Sequence, residues 1–184
     1  MKNQKKLIIL TGPSGVGKGT VIKEILGKEK EFWLSISATT RKPREGEKDG
    51  ENYYFLNQET FKEMIEQNLF LEWAQFAGNF YGTPLPSVNE KIKQGFTVLL
   101  EIEVEGAKQI KEKFPNSLSI FLLPPDIPEL ERRIRSRGTE KEEAIKKRLL
   151  RANYEISVSN QFDFALTNRN VDETAKKIIK LIRT

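Results

Sequence analysis

The chain has 184 residues, 38% of them hydrophobic and 31% charged, which suits one α/β core with insertions and a surface-rich enzyme. It contains neither cysteine nor histidine, so disulfides, thiol nucleophiles, Cys/His zinc sites and histidine acid–base catalysis are excluded. The formal charge of +5 fits two kinds of anion, nucleic acid or the phosphates of small nucleotides.

Lys5 to Leu10 reads as a first strand, and Gly17 to about Lys28 as a first helix. Between them lies Gly12-Pro-Ser-Gly-Val-Gly-Lys-Gly-Thr20, a G-x-x-x-x-G-K run in a strand–turn–helix context. Such a loop turns backbone N–H groups inward, adds the positive end of a helix, and supplies a full charge through Lys18. A polyphosphate nucleotide is its natural occupant. Gly19 stands where Ser or Thr is commonest, and Thr20 comes one residue later. The four apolar residues Leu7 to Leu10 are too short for a signal-peptide core, and no apolar run reaches bilayer length. Cytoplasmic residence without membrane association is therefore expected.

Leu34 to Ala38 reads as a short strand and Arg41 to Asn52 as a loop. Within that loop, Arg41 and Arg44 flank Pro43, and Tyr53 follows the turn at Gly50. Two guanidinium forks and a phenol suit one phosphate monoester, although a solvated surface loop has the same composition. Tyr53 to Leu56 is a strand candidate, and Glu59 to Gln67 has helical spacing. Leu69–Phe76 and Phe80-Tyr81 suggest a hairpin, with Trp73 and Phe76 expected to pack. Residues 37–86 thus lack βα alternation and read as an inserted subdomain. No element is assigned between Tyr81 and Thr97.

Alternation then resumes. Thr97–Ile102 is a buried strand, Val104 to about Lys113 a helix, and Ser119–Leu123 a strand closed by Pro124-Pro125. Helices are expected over Ile127–Arg135 and Lys141 to about Val158, a strand over Asp163–Leu166, and a last helix with Val171, Ala175, Ile178, Ile179 and Ile182 on its core face. The pattern implies a doubly wound parallel sheet, with ligands at the carboxyl ends of its strands. Chemistry without histidine or cysteine suits phosphoryl transfer, which depends on positioning and charge neutralisation. A phosphate acceptor is favoured over an alcohol, because its oxygen is already ionised and needs no general base.

The loop from Thr40 to Leu56 resembles the signature of the guanylate kinase family. The resemblance extends to Gly12–Thr20, Phe70–Phe76, Asn79–Gly82 and Arg137–Glu140, and spans about Lys5 to Ile182. It implies a P-loop α/β core (about 5–36, 87–125 and 150–183), a GMP-binding insertion (about 37–86) and a short helical lid (about 126–149). It implies transfer of the ATP γ-phosphoryl group to GMP with Mg²⁺, and small-molecule substrates rather than nucleic acid. ATP would contact Gly12, Pro13, Ser14, Gly15, Val16, Gly17, Lys18, Gly19 and Thr20, with Asn168 at the adenine. Arg41, Arg44, Tyr53 and Tyr81 resemble the clamp on the GMP phosphate, while Ser37, Glu72 and Thr83 resemble the guanine readers. A carboxylate at Glu72 accepts from both guanine N1–H and the 2-amino group, donors that adenine lacks there. Arg133, Arg137 and Arg148 resemble lid arginines, with Arg132 and Arg135 facing water. Glu101 replaces the family's Asp, and two roles stay open for it: guanine contact or the Mg²⁺ hydration shell. Glu105 replaces Gln, and Asn168-Arg169-Asn170 replaces Asn-Asp-Asp. A non-catalytic scaffold module would be expected to lose the P-loop or the lid arginines, and both motifs are present.

Overall fold

The computed structural model describes residues 7–76, 78–136 and 142–184. The first half of the chain runs β1 (Leu7–Thr11), α1 (Lys18–Lys28), β2 (Phe32–Leu34), β3 (Ala38–Thr39), β4 (Tyr54–Phe55), α2 (Gln58–Glu66), β5 (Phe70–Phe76) and β6 (Asn79–Pro84). It continues through α3 (Leu85–Lys93), β7 (Thr97–Glu101), α4 (Val104–Lys113), β8 (Leu118–Leu123), α5 (Ile127–Arg135), α6 (Glu142–Ser157), β9 (Phe164–Thr167) and α7 (Val171–Arg183).

Every residue of β1 is buried, as a strand covered on both faces requires. It lies at the centre of a sheet ordered β2-β7-β1-β8-β9, in which all pairings are parallel. The period of two sends alternate side chains to opposite cores. Ile8 and Leu10 meet Val21, Ile22 and Ile25 of α1 and Ile178, Ile179 and Ile182 of α7. Leu7 and Ile9 meet Val88 of α3 and Ala107 and Ile110 of α4 on the other face. Helices on both faces of a parallel sheet are the doubly wound arrangement that the sequence implied. The core face expected for α7 is the one observed, and Lys176, Lys177 and Lys180 are exposed.

A second sheet, ordered β4-β3-β6-β5, is built wholly from residues between Ala38 and Pro84. Its own small core stacks Phe61 of α2 on Phe70 and Phe80, with ring centroids 4.3 and 5.4 Å apart. Asn57 caps α2 by accepting from the Thr60 N–H at 2.8 Å.

Two expectations need correction. The strand expected over Leu34–Ala38 is divided between the sheets. Ser35 N–H still donates to Leu99 of β7 at 2.9 Å, whereas the Ser37 carbonyl already accepts from Tyr54 N–H at 2.9 Å. Alternating polarity cannot reveal that a strand changes partners halfway. The unassigned stretch after Tyr81 contains α3, which opens after Pro84 with Pro86 in its first turn. Proline is tolerated there because first-turn N–H groups have no partner within the helix.

Candidate active site

Strand β1 ends at the phosphate loop and α1 begins at Lys18. Gly12, Gly15 and Gly17 have φ of 146°, 87° and 98°. Gly12 passes so close to β8 that a Cβ there would lie 2.5 Å from the Leu122 carbonyl oxygen. Gly17 is the N-cap of α1 in a left-handed conformation. No side chain caps the helix, and its first turn carries no acid, so no side-chain cap competes with an anion for its N-terminal amides. Lys18 folds back along the loop, its Nζ donating to the carbonyls of Gly12 at 2.6 Å and Pro13 at 3.4 Å. Pro13 and Val16 are buried, whereas Gly19 and Thr20 are exposed.

Three distant residues hold this loop. Arg148 of α6 donates to the Ser14 hydroxyl. The Val16 carbonyl accepts from Arg133 of α5 at 3.2 Å and from the Asn168 amide at 2.9 Å. Asn168, expected at the adenine, is only 2% exposed; its Nδ2 donates to the phosphate loop at Val16. Arg133 is oriented by Glu129 at 2.7 Å, and Arg132 and Arg133 together hold the Glu129 carboxyl down to about 2. Arg132 and Arg135 are exposed and paired with glutamates of their own surface. Arg137 lies outside the described residues.

A second basin forms on the smaller sheet. The Arg41 guanidinium lies 5.4 Å from the Tyr53 ring centroid and 5.8 Å from that of Phe55, and it pairs with Glu47 at 2.8 Å. Glu47 also accepts from Arg44 N–H at 2.7 Å, which folds the loop around both arginines while the Arg44 side chain remains exposed. Tyr81 meets Tyr53 edge-on at 6.2 Å. Farther along, Glu72 of β5 and Thr83 of β6 are register partners. The Thr83 hydroxyl donates to Glu72 Oε1 at 2.6 Å, and Glu72 is 6% exposed. Burial pushes the Glu72 carboxyl above the usual glutamate range, with Thr83 pulling against it. Ser37 lies on the link between the sheets, half-buried.

Glu101 joins the two basins. It ends β7, and its Oε2 comes within 3.9 Å of a Cβ placed on Gly19. Its surface is open to solvent, but protein crowds it more broadly. That desolvation raises its pKa, with Lys18 opposing. Tyr53 is raised by burial and secondarily by Tyr81, while Arg41 lowers it and Glu101 raises it. Glu101, at the carboxyl end of β7, therefore feels the charge of Lys18 on the phosphate loop and acts on Tyr53, which also feels Arg41.

The sequence reading did not single out Glu47 or Arg151. Arg151 pairs with Glu155 at 2.8 Å and Glu103 at 3.2 Å, and lies 4.8 Å from the ring centroid of Phe76. Phe76, expected to pack, is instead 54% exposed, while Trp73, 37% exposed, does pack on Phe80, with ring centroids 6.0 Å apart. Phe76 carries Arg151 on its face, and the Trp73 backbone is clamped by Gln109, whose Nε2 donates to its carbonyl at 2.9 Å. Burial pushes the Glu155 carboxyl up against the pull of Arg151. Arg151→Ala leaves that buried acid without its partner, which costs about 2 kcal/mol and lowers Tm by about 5 °C at pH 7. Calorimetry should show the deficit shrinking as pH falls and Glu155 becomes protonated in both proteins. An unchanged Tm at pH 7 would show the pair contributes nothing.

The family model for guanylate kinase matches residues 4–184 of this chain. The chain is 88% identical to the guanylate kinase of Prochlorococcus marinus (strain MIT 9312) over all 184 residues, covering 100% of both chains. It is 52% identical over 177 residues to that of Synechocystis sp. (strain ATCC 27184 / PCC 6803 / Kazusa), covering 96% of this chain and 93% of the relative. Among solved structures, the crystal structure of guanylate kinase from Anaplasma phagocytophilum matches with a TM-score of 0.79 at 31% identity, covering 100% of this chain and 87% of that one.

Proposed function

The chain belongs to the guanylate kinase family and is an enzyme that transfers the γ-phosphoryl group of ATP to GMP, and we propose that Lys18 and the lid arginines hold the donor while the Arg41–Tyr53 loop holds the acceptor. The observation that supports this division of labour is Glu101, which lies beside Gly19 of the phosphate loop, feels the charge of Lys18 and acts on Tyr53, whose ring lies 5.4 Å from the Arg41 guanidinium. The chain divides into a core (5–36, 87–125, 150–183), a GMP-binding insertion (37–86) and a lid (126–149).

ATP lays its phosphates against the backbone N–H groups of the loop from Gly12 to Thr20, Pro13 supplying none, and Lys18 balances their charge. Arg133 and Arg148, already anchored on the loop at Val16 and Ser14, reach the transferring group with Arg137. Arg41, Arg44, Tyr53 and Tyr81 bind the GMP phosphate. Ser37, Glu72 and Thr83 read guanine. An oxygen of the GMP phosphate attacks the γ-phosphorus, and the bond from that phosphorus to the β–γ bridging oxygen breaks. ADP leaves with the bond electrons and GDP is formed. The attacking oxygen is ionised at neutral pH, so no general base is needed, and arginines from lid and loop neutralise the equatorial charge.

Mg²⁺ fits the oxygen donors present at the loop's mouth. The open carboxylate of Glu101 lies beside Gly19, and Thr20 is exposed next to it. Among the described residues, no group of three or more carboxylates is placed to hold a metal ion. When bound, Mg²⁺ neutralises and orients the donor phosphates. No described helix is long and apolar enough to cross a membrane. From the family's small-molecule nucleotide substrates we place the reaction in the cytoplasm.

Incubating the protein with Mg-ATP and each nucleoside monophosphate separately, and following ADP release, tests the reading. GMP should be preferred over AMP by about 10⁴-fold in kcat/KM. Equal release with AMP, CMP and UMP, or release by water alone, would overturn it.

A further inference from the structure

Helix α4 contains a glycine at its third residue, Gly106, which is buried. Glycine within a helix is destabilising relative to alanine, and no positive φ at Gly106 calls for it. Space does. A Cβ on Gly106 would lie 2.4 Å from Glu72 Oε2, 2.9 Å from its Cδ and 3.3 Å from its Cγ. Glu72 has little room to retreat. It is 6% exposed, and its other oxygen is held by the Thr83 hydroxyl at 2.6 Å. The strand bearing Glu72 is itself tied to α4, through Gln109 to the Trp73 backbone and through Lys113 Nζ to the Leu71 carbonyl at 3.1 Å.

We propose that Gly106 is a positioning residue for base selection: its bare Cα forms the wall against which the Glu72 carboxylate is seated, so α4 of the core sets the geometry of the guanine reader on β5. This rests on the reading of Glu72 as that reader. The two arms of contact act from opposite sides, Thr83 from the smaller sheet and Gly106 from the core helix. A methyl group at Gly106 forces Oε2 back by about 0.6 Å to reach the 3.0 Å below which Cβ atoms do not pack. A displacement approaching 1 Å is enough to cost on the order of 10²-fold in a positioned reaction. The damage should fall on the guanine side alone, because the phosphate loop lies on other elements.

The test is a double-mutant cycle of Gly106→Ala and Glu72→Ala, read as KM and kcat for GMP, KM for ATP, and preference for GMP over AMP. Gly106→Ala should raise KM for GMP by about 30-fold and reduce the GMP preference similarly, with KM for ATP within about twofold of wild type. In the Glu72→Ala background, where the clash is gone, adding Gly106→Ala should change KM for GMP by less than about twofold. If Gly106→Ala alone yields no folded protein while the double variant folds, the steric coupling stands. If Gly106→Ala leaves GMP affinity and preference intact while Glu72→Ala destroys them, the inference fails and the reading of Glu72 survives. If Glu72→Ala also leaves them intact, that reading fails with it. Equal damage in both backgrounds, or loss of folding in both, would show that Gly106 acts through helix packing and overturn the proposal.

Discussion

Lys18→Ala is expected to lower kcat by about 10³-fold, about 4 kcal/mol of transition-state stabilisation, while KM for GMP stays within about threefold of wild type. Two effects combine. The ammonium is the single full positive charge contributed by the loop itself, and charge neutralisation is most of what phosphoryl transfer asks of a protein. Its Nζ also ties the loop to itself at the Gly12 and Pro13 carbonyls, so its loss loosens the cradle as well as discharging it. The asymmetry between kcat and GMP affinity follows from the architecture, since the groups proposed to hold the acceptor, Arg41, Tyr53 and Tyr81, stand on or beside the smaller sheet. Steady-state kinetics on protein of unchanged circular dichroism checks this. A variant with wild-type kcat would remove the phosphate loop from the mechanism.

Glu72→Gln should reduce kcat/KM for GMP by about 10³-fold and move that for AMP by less than tenfold. The glutamine oxygen still accepts from Thr83, but the amide meets the two guanine donors with donors of its own. The same substitution should raise Tm at neutral pH. Burial holds the folded-state pKa of Glu72 above its unfolded value, so folding takes up a proton between those two values and stability falls as pH rises through them. Above that window the buried charge is a cost to the fold, which glutamine removes; on the proposed reading that cost is carried for guanine recognition. KM for GMP in the unmodified enzyme should rise as pH drops below the raised pKa, at a higher pH than an ordinary glutamate would give. Intact discrimination in the variant would show that the base is read elsewhere, and an unchanged or lower Tm would contradict the burial argument.

Much of this is legible in the sequence itself. The phosphate loop announces itself because a close backbone approach and an uncapped helix demand glycines at fixed offsets. The βα alternation gives the parallel sheet, since strands buried on both faces are continuously apolar. Other features were not legible for identifiable reasons. Ser35 to Ser37 changes sheets in mid-stretch, which depends on backbone partners rather than side-chain polarity. Helix α3 is short, buries mainly Val88, and opens between two prolines, so its pattern reads as loop. The contact of the Asn168 amide with Val16 joins residues 152 positions apart and leaves no mark on the sequence. Phe76 looked like core and is an exposed ring under Arg151. Gly106 gave one usable signal, a glycine within an otherwise good helix, but what fills the space beside it is a tertiary fact.

The central claim is that donor and acceptor phosphates meet in one cleft between Lys18 and Arg41. Its most direct test is the affinity of adenosine and guanosine joined through five phosphates, compared by calorimetry with a non-hydrolysable ATP analogue and with GMP. One cleft makes the second binding event intramolecular, so the joined compound should bind at least about 10²-fold more tightly than either nucleotide alone. An affinity no better than that of the tighter single nucleotide would mean the two sites do not face each other, and would contradict the account.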